Sequence, residues 1–207
     1  MVTIKRIIVL GSGRGSNFQA LIDAERKNLF PGRIITFITD NPNAHAIERA
    51  RKGEIPFFII DFSLFHNKNQ YEEKLLETML SCAPDLIVLA GYMRIVGAKI
   101  VKQFKNHLIN IHPALLPSFP GLNAQLQAIE YGVRITGCTI HFVTEEMDAG
   151  PIILQKEVYV DENENVESLA EKILAFEHKC LPYAVKLFCE DRLIINDRHV
   201  KILPRVS

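Results

Sequence analysis

The sequence predicts a mostly parallel, twisted α/β sheet with helices on both faces and an antiparallel addition near its end. Two observations predict this fold class. Short β-rich runs alternate with helical patterns along the first half of the chain, as in parallel sheets whose crossovers are helices. Later, "ITGCTIHFV" and "IILQKEVYV" are joined only by the turn "TEEMDAGP", which marks an antiparallel pair. No internal repeat, low-complexity tract or flexible linker interrupts the pattern, so residues 1–207 are expected to form a single domain.

The elements follow in order. Strand "IKRIIVL" precedes a helix over Ser16–Lys27, then come strand "RIITFIT", a helix over Ala44–Lys52 and strand "PFFIID". A helix from about Gln70 to Cys82, strand "DLIVLAG", a short helix near Gly97–Phe104 and strand "HLINIH" complete the parallel part. Pro113, Pro117 and Pro120 then forbid helix and ladder alike, so a stiff irregular loop leads to a helix over about Leu122–Tyr131. After the antiparallel pair, a long helix runs from about Val166 to Glu190, and "LIINDRHVKILP" reads as a small hairpin turning at Asn196 and Asp197.

Lys+Arg and Asp+Glu both count 24, which leaves no net basic field to hold nucleic acid or an anionic membrane. Any anionic ligand must be caught locally. Cys82, Cys138, Cys180 and Cys189 show no CxxC spacing and read as reduced thiols. The opening "MVTIKRIIVLG" has too short an apolar run for a signal peptide, and no run approaches membrane-spanning length, so a soluble cytoplasmic protein is expected.

Ligands of an open α/β sheet sit at the carboxyl ends of its strands, and the unusual residues gather there. "GSGRGSNFQAL" is a glycine-rich turn opening a helix, with Ser16 and Gln19 at capping-box spacing. It reads either as an anion site at Gly15, Ser16 and Asn17 or as a tight turn with no ligand. No GK[ST] follows, and Ser16 stands where the third glycine of a dinucleotide fingerprint belongs, so a monophosphate is favoured over a pyrophosphate. The end of the fourth strand, "AGYMRI", exposes Met93 and Arg94, the latter a ligand contact or a surface charge.

In "HLINIH", alternation puts Leu108, Asn110 and His112 on one side and Ile109 and Ile111 on the other. The acidic turn Glu145, Glu146, Asp148 is a solvated loop by itself. Beside Asn110 and His112, Asp148 becomes a carboxylate that orients an imidazole and raises its pKa, while the amide holds an oxyanion. His112 also reads as satisfied by loop backbone or as a metal ligand; the seven histidines show no H-x-x-x-H or H-x-H spacing, so no metal is expected. His141, inside its strand, reads as structural. On the last long helix the apolar stripe Val166, Leu169, Ala170, Ile173, Leu174, Leu181, Ala184 and Phe188 contains Glu177. An inward carboxylate is half of an internal salt bridge or a receiver of ligand donors.

"GSGRGSNFQAL", "PDLIVLAGYMRI", "NIHPALLPSFPG", "TGCTIHFVTEEMDAGPIILQ" and "AFEHKCLPYA" together resemble, in order and interval over nearly the whole chain, the phosphoribosylglycinamide formyltransferases of purine synthesis. The resemblance implies a Rossmann-like formyltransferase fold and a monomer or homodimer that acts on small molecules. The reaction it implies is formyl transfer from 10-formyltetrahydrofolate to phosphoribosylglycinamide, with protonated His112 stabilising the oxyanion. It also implies catalytic Asn110, His112 and Asp148, and substrate contacts at Gly15, Ser16, Asn17 and Glu177. Folate contacts are implied at Lys68, Met93, Arg94, Ile95, Val96, Asn110, Thr144, Glu145, Glu146, Met147 and Asp148. Lys68 stands where the family usually has arginine, Ala114 where it has serine, and Gln125 where it commonly has histidine. Two rivals remain: a folate hydrolase on the same scaffold, and a nucleotide-binding regulator in which Asp40 holds a ribose.

Overall fold

A computed structural model describes residues 3–205. Nine strands form one sheet in the order β3-β2-β1-β4-β5-β6-β7-β9-β8. The strands are β1 (Lys5–Leu10), β2 (Gly32–Thr39), β3 (Phe57–Ile59), β4 (Leu86–Leu89), β5 (Leu108–His112), β6 (Ile135–Phe142), β7 (Ile152–Tyr159), β8 (Leu193–Asn196) and β9 (His199–Ile202). The helices are α1 (Ser16–Arg26), α2 (Ala46–Lys52), α3 (Lys68–Cys82), α4 (Ala98–Gln103), α5 (Ala124–Tyr131) and α6 (Val166–Cys189). β1 to β5 are mutually parallel, and β6 pairs antiparallel with both β5 and β7. The terminal hairpin joins the sheet where His199 meets Ile152.

Period-two alternation splits the side chains of β1, β4 and β5 between two cores. Ile7, Val9, Leu86, Val88, Ile109 and Ile111 pack with Phe18, Leu21, Ala46, Leu181 and Val185 of α1, α2 and α6. Ile8, Leu10, Ile87, Leu89 and Leu108 pack with Tyr71, Leu75, Met79, Ile100 and Val101 of α3 and α4. Both faces are therefore covered. Because β2 lies on one side of β1 and β4 on the other, the crevice at their carboxyl ends is a topological switch point, where such sheets bind ligands.

Element boundaries differ from the sequence reading where side chains cap the chain. α3 starts at Lys68 because the Asn67 side chain accepts the Gln70 amide at 3.0 Å. The Ser16/Gln19 capping box does not form. α1 is preceded by Gly15 in a left-handed conformation with no side-chain cap, while Gln19 donates to Asp23 at 2.9 Å and accepts from Arg49 at 3.1 Å. Among the described residues no helix is long and apolar enough to cross a membrane, and the four cysteines are free thiols.

Candidate active site

A cavity of about 760 Å³ opens at the switch point and collects the ends of β1, β4, β5 and β6. β5 supplies two of its groups. Ile109 and Ile111 face the α6 side, so Asn110 and His112 share the opposite face, with His112 buried at the strand's last position. The proline loop then returns to hold them. His112 Nε2–H donates to the Phe119 carbonyl at 2.8 Å, and the Gly121 amide donates to Asp148 Oδ2 at 2.8 Å. Asp148 adopts a left-handed conformation in the turn after β6, which aims its carboxylate inward. Asp148 Oδ2 lies 3.4 Å from His112 Nδ1. The structure thus brings Asn110, His112 and Asp148 together on one wall.

The electrostatics correct one expectation. Burial drives the His112 pKa down more than the Phe119 carbonyl and the Asp148 carboxylate lift it, so the net shift is downward from 6.5. The ring is neutral at pH 7. Yet both ring nitrogens face acceptors, so the imidazolium is the form its partners satisfy. A negative charge arising beside it would tip this balance toward protonation. Asp148 feels an upward push from burial, outweighed by its contacts with His141, the Gly121 amide and His112, and its pKa sits below the ordinary 3.8. It is a carboxylate throughout the neutral range.

His141, read from sequence as structural, belongs to the site. The β5–β6 register sets it directly opposite Asn110. Its Nδ1–H donates to the Phe142 carbonyl at 2.9 Å, which leaves Nε2 to accept from the Asn110 amide at 3.2 Å, and Nε2 lies 3.6 Å from Asp148 Oδ1. One Asn110 N–H is thereby fixed and the amide plane with it. Antiparallel register was the signal that could have found His141, and no single strand encodes it.

Across the cavity lies the glycine turn. Gly13 to Asn17 line it, and the absence of a side-chain cap leaves the first amides of α1 without side-chain partners. Gly15 has φ +70°, and a Cβ there would stand 2.6 Å from the Ala46 Cβ, so glycine is required twice over. Glu177 is 6% exposed and accepts from Asn17 Nδ2 at 2.7 Å. Among the described residues no cation pairs with it, and burial, opposed only by the Asn17 amide, raises its pKa. Asn17 Oδ1 is buried without a partner. A carboxylate on the cavity wall with no cation paired to it among the described residues, beside a buried carbonyl that also lacks a partner, wants donors from a ligand.

The remaining wall joins large apolar side chains to an acidic turn. Met93, Ile95, Leu122 and Met147 are exposed at the cavity, joined by Val96, Thr144, Glu145 and Glu146. Arg94 borders the cavity, but its guanidinium turns away to Asp40 Oδ2 at 2.6 Å and stacks 3.7 Å over the Phe62 ring. Asp40 thus spends Oδ2 on Arg94, its Oδ1 is buried, and it is not among the residues lining the cavity, which disfavours the ribose contact of the regulator reading. Lys68 is not on the cavity wall; it pairs with Glu72 at 3.3 Å on α3, because the helix begins two residues earlier than its periodicity indicates and spends the lysine on an i,i+4 bridge. Asn123, Gln125 and Leu174 line the cavity without having been singled out as ligand contacts. Ala114 is buried, and its carbonyl accepts from Thr139 Oγ1 at 2.7 Å. Among the described residues no cluster of three His, Cys, Asp or Glu is arranged to hold a metal. A second groove, about 830 Å³ between α1 and α6, shares only Ser16 with this cavity and contains none of Asn110, His112 and Asp148.

A family model described as formyl transferase matches residues 5–185, and fold and match together define the chain as a formyl transferase. A phosphoribosylglycinamide formyltransferase of Bacillus subtilis is 38% identical over 183 residues, covering 88% of this chain and 94% of that protein. The solved glycinamide ribonucleotide transformylase 1 of Symbiobacterium toebii superposes with a TM-score of 0.95 at 45% identity, covering 97% of this chain and 95% of that one. The chain belongs to the phosphoribosylglycinamide formyltransferase family. A formyltetrahydrofolate deformylase from Pseudomonas syringae pv. tomato shares the fold, with a TM-score of 0.92 at 26% identity over 98% of this chain and 67% of that one.

Proposed function

We propose that this protein, as one formyltransferase domain over residues 1–207, transfers the formyl group of 10-formyltetrahydrofolate to the amine of phosphoribosylglycinamide. One observation carries the reading: a single cavity holds both the Asn110/His112/Asp148 wall and, opposite it, the uncapped glycine turn with Glu177. The turn receives the phosphate on the amides of Gly15, Ser16 and Asn17, and Glu177 accepts from substrate donors. The folate lies on Met93, Ile95, Val96 and Met147, with polar contacts from the backbone of 144–148. The glycinamide nitrogen forms a bond to the formyl carbon as the carbonyl π pair moves to oxygen. Asn110 donates to that oxygen. The proton lost by the amine reaches Nδ1 of neutral His112, the ring nitrogen that carries no hydrogen, by way of the Asp148 carboxylate beside it, and the resulting imidazolium meets Asp148 and the Phe119 carbonyl. As the oxyanion's electron pair re-forms the carbonyl, the bond to the folate nitrogen breaks, and that nitrogen leaves with the proton returned by the His112/Asp148 pair, which restores neutral His112. Holding both substrates in one cleft replaces any covalent intermediate.

The hydrolase reading has the deformylase likeness in its favour. It gives the glycine turn and Glu177 nothing to bind. Following folate deformylation by absorbance, with and without phosphoribosylglycinamide, separates the two: turnover should require the amine substrate, and equal rates without it would establish the hydrolase.

Two further outcomes are expected. Gly15→Val imposes a left-handed conformation costing about 1–2 kcal/mol and a clash with Ala46, so the turn must move. The KM for phosphoribosylglycinamide should rise about tenfold or more, far more than that for the folate; equal rises would contradict a phosphate site here. Secondly, His112 should titrate below 6.5 in the free protein, and Asp148→Asn should lower it further by removing an attractive charge. Below that pKa the imidazolium cannot take the amine's proton, so kcat should fall as pH drops through it. NMR titration of the imidazole reads this directly, and a value above 6.5 would contradict the neutral starting state.

A further inference from the structure

Ser12 sits between the two halves of the site and touches neither ligand region as a wall residue, yet all three of its hydrogen-bonding groups are engaged across strands. Its N–H donates to the Gly91 carbonyl at 3.0 Å, its Oγ accepts from the Met93 amide at 2.9 Å, and its carbonyl accepts from Asn41 Nδ2 at 3.0 Å. The next residue, Gly13, begins the glycine turn, and its carbonyl accepts from the Ala46 amide at 3.1 Å. Met93 belongs to the irregular segment Gly91–Val96 that forms the apolar wall. That segment has no ladder of its own. It is held to the strand ends by Ser12 and, one residue beyond Met93, by the ion pair of Arg94 with Asp40. Ser12 is buried, so water does not compete for these bonds.

A ligand that orders the glycine turn therefore orders Ser12, and through one hydroxyl and one amide it orders the backbone at Met93. We propose that Ser12 is a positioning residue that couples the two substrate subsites, so that occupancy of the glycine turn raises affinity at the Met93 wall and the reverse. The proposal rests on the functional reading above. Linkage makes the coupling reciprocal, and a factor of about 5–150 is usual for such coupled sites.

The test uses the intact protein with phosphoribosylglycinamide and tetrahydrofolate, a pair with no formyl group to transfer. Calorimetry should show the tetrahydrofolate Kd falling at least about fivefold when phosphoribosylglycinamide is saturating, with the reciprocal change for the other ligand. In Ser12→Ala the ratio should collapse to below about twofold, with KM for 10-formyltetrahydrofolate raised and kcat at saturation nearly unchanged. Ser12→Cys, which keeps the shape and a weak acceptor, should fall between. A merely structural serine would lower Tm and leave the ratio intact. A wild-type ratio near one in protein that transfers formyl groups overturns the coupling alone, whatever the variants do. Wild-type protein that neither binds phosphoribosylglycinamide nor transfers to it overturns the functional reading and the coupling with it.

Discussion

Asp148→Asn is expected to lower kcat by about 10²–10⁴-fold, the usual contribution of a general acid–base group, while leaving both KM values within a few-fold. The substitution is isosteric and keeps an oxygen for the Gly121 amide, which donates to Oδ2 at 2.8 Å. Asparagine also tolerates the left-handed backbone at φ 51° better than any residue but glycine, so Tm should hold. What disappears is the negative charge 3.4 Å from His112 Nδ1. The imidazolium formed when the amine loses its proton is then a buried cation facing a neutral amide. Since burial already depresses the His112 pKa, only the Phe119 carbonyl remains to lift it as the oxyanion develops. Single-turnover kinetics on the folded variant make the comparison. A rate within tenfold of wild type would assign Asp148 to holding the proline loop through Gly121 and to nothing more.

Glu177→Gln should weaken phosphoribosylglycinamide binding by one to two orders of magnitude. The change keeps the shape and an acceptor for Asn17 Nδ2, but removes the charge that strengthens bonds from substrate donors, roughly 1.5–3 kcal/mol for a hydrogen bond to a charged group. Folate affinity should barely move, because that ligand lies on the Met93 wall across the cavity. Stability sharpens the test. An acid whose folded pKa is raised costs stability above its unfolded pKa, and Glu177 is such a group, raised by burial with only the Asn17 amide in opposition. Neutralising it should leave Tm at pH 7 unchanged or higher. A salt-bridged glutamate would do the reverse, losing Tm and keeping substrate affinity, and that pair of results would reject the substrate role.

Local chemistry was legible in the sequence. Period-two alternation placed Asn110 and His112 on one face of β5, prolines fixed the loop beyond, glycine spacing marked the turn before α1, and the 3.6-residue stripe aimed Glu177 inward. Each of these depends on sterics or on burial that repeats within a few residues, so a single segment carries the information. The tertiary structure decided the rest. His141 joins the site because antiparallel register sets it opposite Asn110, and Arg94, though it lines the cavity, turns its guanidinium away because Asp40, distant in sequence, pairs with it. Lys68 is taken by Glu72 once Asn67 has moved the start of α3. The His112 pKa moved against expectation for a related reason: the carboxylate beside it was inferable, but the depth of burial that outweighs it was not. Register, long-range pairing and desolvation depend on which remote segments meet and how much water they exclude, and those quantities exist only after the chain has packed.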